Sequence, residues 1–430
     1  MSTAFFTSLH GGVALRDAVL TLISAAHTHA EAGGKIDLQI MCFAFTDHGI
    51  AQALTALARQ HPSVVIRVVA DWSQGARGGP AVMDALAQSG CPNIYVKLKL
   101  DAPYRWDPKD QRLRYSYAAS SGMLHHKTLC LRVDGLPVLL GLGSYNWSGR
   151  GLKAYENFLV LCRNDDGTIL DAFAAEFEAL WSDHRLTASL MRARSIFQRL
   201  HQDAAKGHDM RDPARLADML GIVGGLPKRD KLSPRVTAQG DNLVAFSGNR
   251  PLGVDKSGGH APINDRRQLD LLRPSGVRRP APLTLNTLAL EAIRGVPDGA
   301  HLNLAFYALS PRVPEFAAVL DAARRGCRVK VLLDGTIGGA IAKSIRGFAE
   351  REALPIEMRA TRRRMHQKYL LCPEANMVLT GTANMTEDAT LRHSDHRILF
   401  RNAPTLTQTF SADFNEIWWR LSGQARPECA

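Results

Sequence analysis

The sequence predicts an α/β fold built from two tandem repeats, each a mostly parallel β-sheet flanked by helices, packed as a pseudo-twofold dimer within one chain. Three observations predict it. Strand-period and helix-period segments alternate, the same order of segments occurs twice, and both copies carry the same short polar motif at matching places.

In the first copy, Lys35 to Phe45 reads as a strand, His48 to Gln60 as an amphipathic helix and Val64 to Ala70 as a strand ending at Asp71. In the second, His301 to Leu309, Val313 to Arg325 and Cys327 to Leu333 repeat that plan and end at Asp334. Gly-containing loops follow, Gly75 to Gly79 and Gly335 to Gly339. Further on, His125-His126-Lys127 matches His366-Gln367-Lys368, and Gly143-Ser144-Tyr145-Asn146 matches Gly381-Thr382-Ala383-Asn384. Tyr155-Glu156-Asn157 then matches Ser394-Asp395-His396. Each copy closes on an aromatic stripe, Phe173, Phe177, Trp181 against Phe410, Phe414, Trp418, whose spacing is that of a core-facing helix. The spacing between copies shifts mostly across residues 72–124, where the first copy is longer, and by only a few residues after that. The domains expected are 1–199, a first repeat; 200–285, an irregular Gly/Pro/Arg-rich connection; and 286–430, a second repeat.

Composition narrows the class. Of 430 residues, 45% are hydrophobic and 22% charged, a globular balance that argues against disordered, collagenous or coiled-coil chains. No apolar run approaches the ~18 residues of a spanning helix, and Met1 to His10 lacks the pattern of a secretory signal. Seven scattered cysteines without CxxC spacing fit a reduced compartment and offer no zinc template. These features lead us to expect a cytoplasmic protein. The net charge of +12 favours polyanionic partners: nucleic acid, a phosphorylated substrate or the surface of an anionic membrane, touched peripherally.

On a strand, residues i and i+2 share a face. His125 with Lys127, and His366 with Lys368, therefore point the same way. Ser144, Asn146, Thr382 and Asn384 supply hydroxyls and amides suited to phosphate oxygens. If the copies pack about a twofold axis, one site gathers two imidazoles, two ammoniums, two hydroxyls and two carboxamides. Such a set suits a phosphodiester. One imidazole can attack phosphorus, the other can move the proton, and the cations stabilise charge on the oxygens. Glu156 and Asp395, ten and eleven residues after the asparagines, are carboxylates able to fix a histidine tautomer through Nδ1. His126 is expected to face away from His125, and His393 and His396 to be ordinary polar residues. There is no HExxH, acidic cluster or Walker A loop, so the reading needs no metal or cofactor.

This constellation resembles the phospholipase D superfamily, whose motif is H-x-K-x4-D followed by G-S-x-N. The resemblance covers roughly 35–185 and 300–420. It implies a covalent phosphohistidine, with His125 as nucleophile and His366 as general acid/base. It also implies that Lys127, Lys368, Asn146, Asn384, Ser144 and Thr382 bind phosphate. The chain departs from the pattern at the motif aspartate, where it has Arg132 and Pro373, with Asp134 and Glu374 nearby but out of register; Thr382 replaces the serine.

Phospholipid head groups are the expected substrate, because two motifs in one chain are typical of the family's lipid enzymes. A metal-independent nuclease is the alternative. Before His125, Lys97, Lys99, Arg105, Arg112 and Arg114 interleave with Tyr95, Tyr104, Trp106, Tyr115 and Tyr117, a mixture able to track a single strand. Arg362, Arg363 and Arg364 precede His366 and can meet a polyanion. The third reading is a non-catalytic, anion-binding scaffold. A monomer with an internal pseudo-dimer is the expected working unit.

Overall fold

Alternating burial along the central strands sets the layering. In β2 (Ile36–Cys42), Ile36, Leu38, Ile40 and Cys42 point into one apolar cluster and Met41 into another, the two-residue period of a strand covered on both faces. In β13 (His301–Phe306), Leu302, Leu304 and Phe306 point one way and Ala305 the other. The computed structural model describes residues 3–75, 81–100, 104–107, 112–115, 123–184, 186–206, 218, 236–239, 242–247, 285–386, 389 and 393–422.

The first sheet runs β1 (Ala4–Thr7), β9 (Asn157–Cys162), β8 (Leu136–Gly143), β7 (Lys127–Val133), β2, β3 (Val65–Ala70), β4 (Ile94–Lys99), β10 (Thr187–Ser189). The second runs β11 (Val236–Gln239), β12 (Asn242–Phe246), β18 (His396–Phe400), β17 (Met377–Gly381), β16 (Lys368–Cys372), β13, β14 (Arg328–Asp334), β15 (Ile356–Thr361). The cores of the two orders, β9-β8-β7-β2-β3-β4 and β18-β17-β16-β13-β14-β15, are the same topology. A separate hairpin joins β5 (Tyr104–Asp107) to β6 (Arg112–Tyr115).

Both sheets are mixed rather than mostly parallel. β2-β3-β4 and β13-β14-β15 are parallel, and the other pairings are antiparallel. The reason is connection length. β7 to β8 turns through Asp134-Gly135, both at positive φ (51° and 84°), a hairpin too short for a parallel crossover. A second difference concerns the connection. Asn242–Phe246, assigned by composition to irregular chain, is a strand paired antiparallel with β18, as β1 pairs with β9. Five residues between glycine- and proline-rich stretches leave too short a period-two signal to read. The remaining features expected between 248 and 284, the loop 76–79 and Tyr117 lie outside the described residues.

Helices α1 (Val13–Glu31), α2 (His48–Gln60), α3 (Ala81–Ala87) and α5 (Leu190–Ala205) belong to the first copy, with α4 (Arg163–Ser182) between them in sequence; α6 (Leu285–Arg294), α7 (Pro314–Arg324), α8 (Gly339–Glu352) and α9 (Pro404–Arg420) belong to the second. α2 starts where Asp47 accepts hydrogen bonds from the Gly49 and Ile50 amides, at 2.9 and 3.1 Å. It buries Ile50, Leu54, Leu57 and Ala58 at helical spacing. The closing helices α4 and α9 lie between the sheets. Phe173 and Phe177 of α4, and Phe410, Phe414 and Trp418 of α9, share one apolar cluster with residues of both sheets. α4 also packs on β12 and α9 on β1, each reaching into the other half. Burying a Phe or Leu side chain is worth about 1.5–3 kcal/mol, so this shared cluster holds the halves together. Among the described residues no helix is long and apolar enough to cross a membrane.

Candidate active site

The two histidines lie at the seam between the halves, each held by both. The Leu124 amide, just before His125, donates to Asp71 Oδ2 at 2.9 Å. The Met365 amide, just before His366, donates to Asp334 Oδ2 at 3.0 Å. The histidine amides then donate across the seam, His125 to the Ser394 carbonyl and His366 to the Tyr155 carbonyl, both at 2.9 Å. Each motif strand therefore begins pinned to its own sheet by an aspartate and to the opposite half by backbone.

The acids cross over as well. With protons on Nδ1, His125 donates to Asp395 Oδ1 at 2.7 Å, and His366 donates to Glu156 at 2.8 Å. Every histidine of the pair is thus oriented by the carboxylate of the other copy, leaving its Nε2 for chemistry. Two serines place these acids. The Glu156 amide donates to Ser8 Oγ at 2.8 Å, and the Asp395 amide to Ser247 Oγ at 2.7 Å. Ser8 directly follows β1 and Ser247 directly follows β12, so the outer strands serve the same purpose in both halves.

Lys127 and Lys368 are buried and donate to the carbonyls of His125 and His366. Asn146 Oδ1 and Asn384 Oδ1 are buried with no hydrogen-bond partner among the described residues. Ser144 and Thr382, expected to bind phosphate, also hold backbone. Each hydroxyl accepts the backbone amide of the residue after the acid, Asn157 at 2.9 Å and His396 at 3.2 Å. The preceding glycines have no room for a side chain: a Cβ on Gly143 would lie 2.3 Å from the Asn157 carbonyl, and one on Gly381 2.3 Å from that of His396.

Burial depresses both histidines, His125 to about 3 and His366 well below its usual range, so both are neutral at neutral pH. Burial also lowers Lys127 to about 8 and Lys368 well below an ordinary lysine. The acids diverge. Burial raises the Glu156 carboxyl to about 7. For Asp395 burial pushes the same way, but the His125 imidazole and its hydrogen bond outweigh it and hold the carboxyl well below the usual range.

Sequence reasoning missed several participants. Phe43 and Tyr307 meet the His125 and His366 rings edge-on, with centroids 5.3 and 5.2 Å apart. Their shared place just beyond the first strand of each copy was a usable signal. His126, expected to face away from His125, stacks on His396 with ring planes 4° apart and Nδ1 atoms 2.9 Å apart, a buried pair across the seam. His396 is thus no ordinary surface residue. His393 lies beside the acid, its Nδ1 3.6 Å from Asp395 Oδ2. His125, His393 and Asp395 form the group with metal-ligand spacing among the described residues, with ligand atoms within 4.8 Å of one another.

The motif departures have structural work elsewhere. Arg132 joins Arg67, Asp37 and Glu178 in a surface ion network. Asp134 Oδ1 accepts the Lys35 amide at 3.0 Å and Glu374 Oε2 the His301 amide at 3.2 Å. Both acids tie the far end of the hairpin to the neighbouring central strand, roughly 20–30 Å from the histidines at about 3.3 Å per residue. Of the basic run, Lys97 donates to the Trp181 carbonyl at 2.6 Å. Arg363 donates to the carbonyls of Ser8, Lys153 and Ala154.

A family-wide sequence model described as "Cardiolipin synthase, PLD-like domain" matches residues 26–181 and 300–418, well over half the chain. The chain belongs to the phospholipase D-like family. Within that family of phosphodiesterases, it is 30% identical over 153 residues to the mitochondrial cardiolipin hydrolase of Xenopus laevis, covering 35% of this chain and 58% of that protein. The match therefore spans little more than half the relative's length. The phosphatidylserine synthase of Haemophilus influenzae has the same fold, with a TM-score of 0.56 at 11% identity over 97% of this chain and 86% of that one. The phospholipase D family member Nuc of Salmonella typhimurium matches 34% of this chain and 92% of its own at 22% identity, with a TM-score of 0.27.

Proposed function

We propose that this phospholipase D-like protein cleaves or transfers a phosphodiester through a covalent phosphohistidine, acting on phospholipid head groups. The observation that carries the mechanism is the crossed pairing, His125 with Asp395 and His366 with Glu156.

Asp395 is ionised and holds the His125 proton on Nδ1, so the Nε2 lone pair attacks phosphorus. As the Nε2–P bond forms, the bond to the leaving alcohol oxygen breaks. The His366–Glu156 pair, with its carboxyl near 7, carries the proton that oxygen needs. Water or a second alcohol then gives a proton back to His366, attacks phosphorus and releases His125. Lys127, Lys368 and the amide groups of Asn146 and Asn384 stabilise the equatorial oxygens. Ser144 and Thr382 support them by fixing the backbone behind the acids.

The lipid reading is supported by the relative named for cardiolipin and the family description. The +12 charge suits peripheral docking on an anionic membrane, with the single chain as the working unit. One observation favours nucleic acid instead: β5 and β6 pair Tyr104 with Tyr115 and Arg105 with Arg114 in a basic, aromatic hairpin.

The test is turnover of mixed phospholipid vesicles and of labelled single- and double-stranded nucleic acid, in EDTA, with His125→Ala as control. Released head group, intact nucleic acid and an inactive variant are expected. Cut nucleic acid with intact lipid overturns the substrate, near-normal His125→Ala activity overturns the mechanism, and a strict divalent-metal requirement counts against it.

A further inference from the structure

The two copies differ in charge just before the motif histidine, with Arg364 in the second and Met123 in the first. At the seam, a cavity of about 270 Å³ is lined by Phe43, Gln74, Asn146, Glu156 and Arg150 of the first copy and Arg364 of the second. It lies just below the roughly 300–1,000 Å³ of pockets for drug-sized ligands, a size for a small polar group rather than an acyl chain.

Arg364 is the cation of its triplet that lines this cavity. Arg363 is spent on backbone carbonyls, whereas the Arg364 guanidinium is exposed, steadied 4.8 Å over the Tyr307 ring. Among the described residues no carboxylate pairs with Arg364 or with exposed Arg150. Arg364 is close enough to bear electrostatically on Glu156, His366 and Lys368. Its counterpart in the first copy is Met123. Asn146 Oδ1, buried and unpartnered, belongs to the same lining.

A phosphodiester carries one negative charge, and the two buried lysines already face it. Two further guanidiniums, without a carboxylate partner among the described residues, line this cavity and exceed what that group needs, and the planar fork of arginine suits phosphate. We propose that this cavity is a subsite for a second phosphate of the substrate, held by Arg364 and Arg150 beside the reacting phosphodiester. The proposal rests on the phosphodiesterase reading for its place in a substrate, but the subsite itself is an anion site testable without turnover.

Calorimetry with methylenebisphosphonate and with orthophosphate tests it directly. Wild-type protein is expected to prefer the bisphosphonate by about tenfold or more, Arg364→Ala to lose most of that preference and Arg364→Lys to keep part of it. Arg150→Ala, on an exposed loop, is expected to weaken the preference in the same direction and guards against misfolding of the first variant. The kinetic counterpart is the ratio of kcat/KM for vesicles of phosphatidylglycerol phosphate over phosphatidylglycerol, which differ by one phosphate; Arg364→Ala is expected to lower it about tenfold. A wild-type protein without preference, or ratios unmoved in both arginine variants, overturns the subsite. Retained bisphosphonate preference with no turnover of either lipid supports the subsite and counts instead against the lipid phosphodiesterase reading.

Discussion

The carboxylate that orients His125 is Asp395, 270 residues away and in the other half of the molecule, at 2.7 Å. Asp395→Asn preserves shape but cannot accept the Nδ1 proton as an anion, so the imidazole loses its tautomer and the charge that supports attack. A fall in kcat on the order of 10²–10⁴ is expected, with little change in thermal stability. Steady-state kinetics beside a melting curve checks this; a variant within threefold of wild type would show that the acid only fills space.

Glu156 is expected to set the pH profile. Burial raises its carboxyl to about 7, so above that pH the His366–Glu156 pair gives up the proton that a leaving alkoxide requires. For a substrate with a poor leaving group kcat falls on the alkaline side, with an apparent pKa belonging to the pair. Glu156→Gln removes the titrating carboxyl and displaces that limb. A limb that stays put in the variant assigns the titration to another group.

The stacked His126 and His396 make the seam acid-sensitive. Burial pushes His126 down to about 3 and His396 well below its usual range. In the unfolded chain both take up protons near 6.5, so folding stability is full above that pH and is lost as pH falls towards 3. The other copy carries Gln367 and Asn157 in the corresponding places. His126→Gln with His396→Asn therefore places here the residue types that the other copy carries. The difference in Tm between wild type and this double variant is expected to move in the variant's favour as pH drops from 7 to 4. A difference independent of pH would mean that the imidazoles take up protons as readily in the folded chain as in the unfolded one.

The glycine before each motif serine is a steric requirement. Gly143→Ala sets a Cβ 2.3 Å from a backbone carbonyl that is itself fixed in the sheet, and about 1–3 kcal/mol of destabilisation is expected. Gly149→Ala, with nothing within 4 Å, is the comparison and is expected to be near neutral. Urea titrations of the two variants test this, and equal midpoints would refute it.

What the sequence disclosed was whatever is local. The helix over His48–Gln60 carries its own period, and the doubled motifs align by inspection because the spacing between copies shifts mostly in one place. The hairpin turn at Asp134-Gly135 was also written locally and argued against a mostly parallel sheet. What stayed hidden depends on where the halves meet. Nothing in the strand containing His125 names Asp395 over Glu156, and Ser8 and Ser247 gain meaning only when β1 and β12 lie along β9 and β18. The role of Asp71 and Asp334 was half visible: their alignment marked them, but the amides they accept are over 30 residues downstream. His393 has no twin in the repeat, so comparing the copies could not reveal it, and Arg364, which also has none, stood out only through its basic run.

Covalent linkage of the halves frees each from having to match the other. In a symmetric pair of identical chains, a codon change would appear on both sides of the cleft at once. Here His393 can stand opposite Ala154, and Arg364 opposite Met123. One end of the cleft can be tuned while its twin is left as it is, so this protein can acquire a direction in which a substrate must lie.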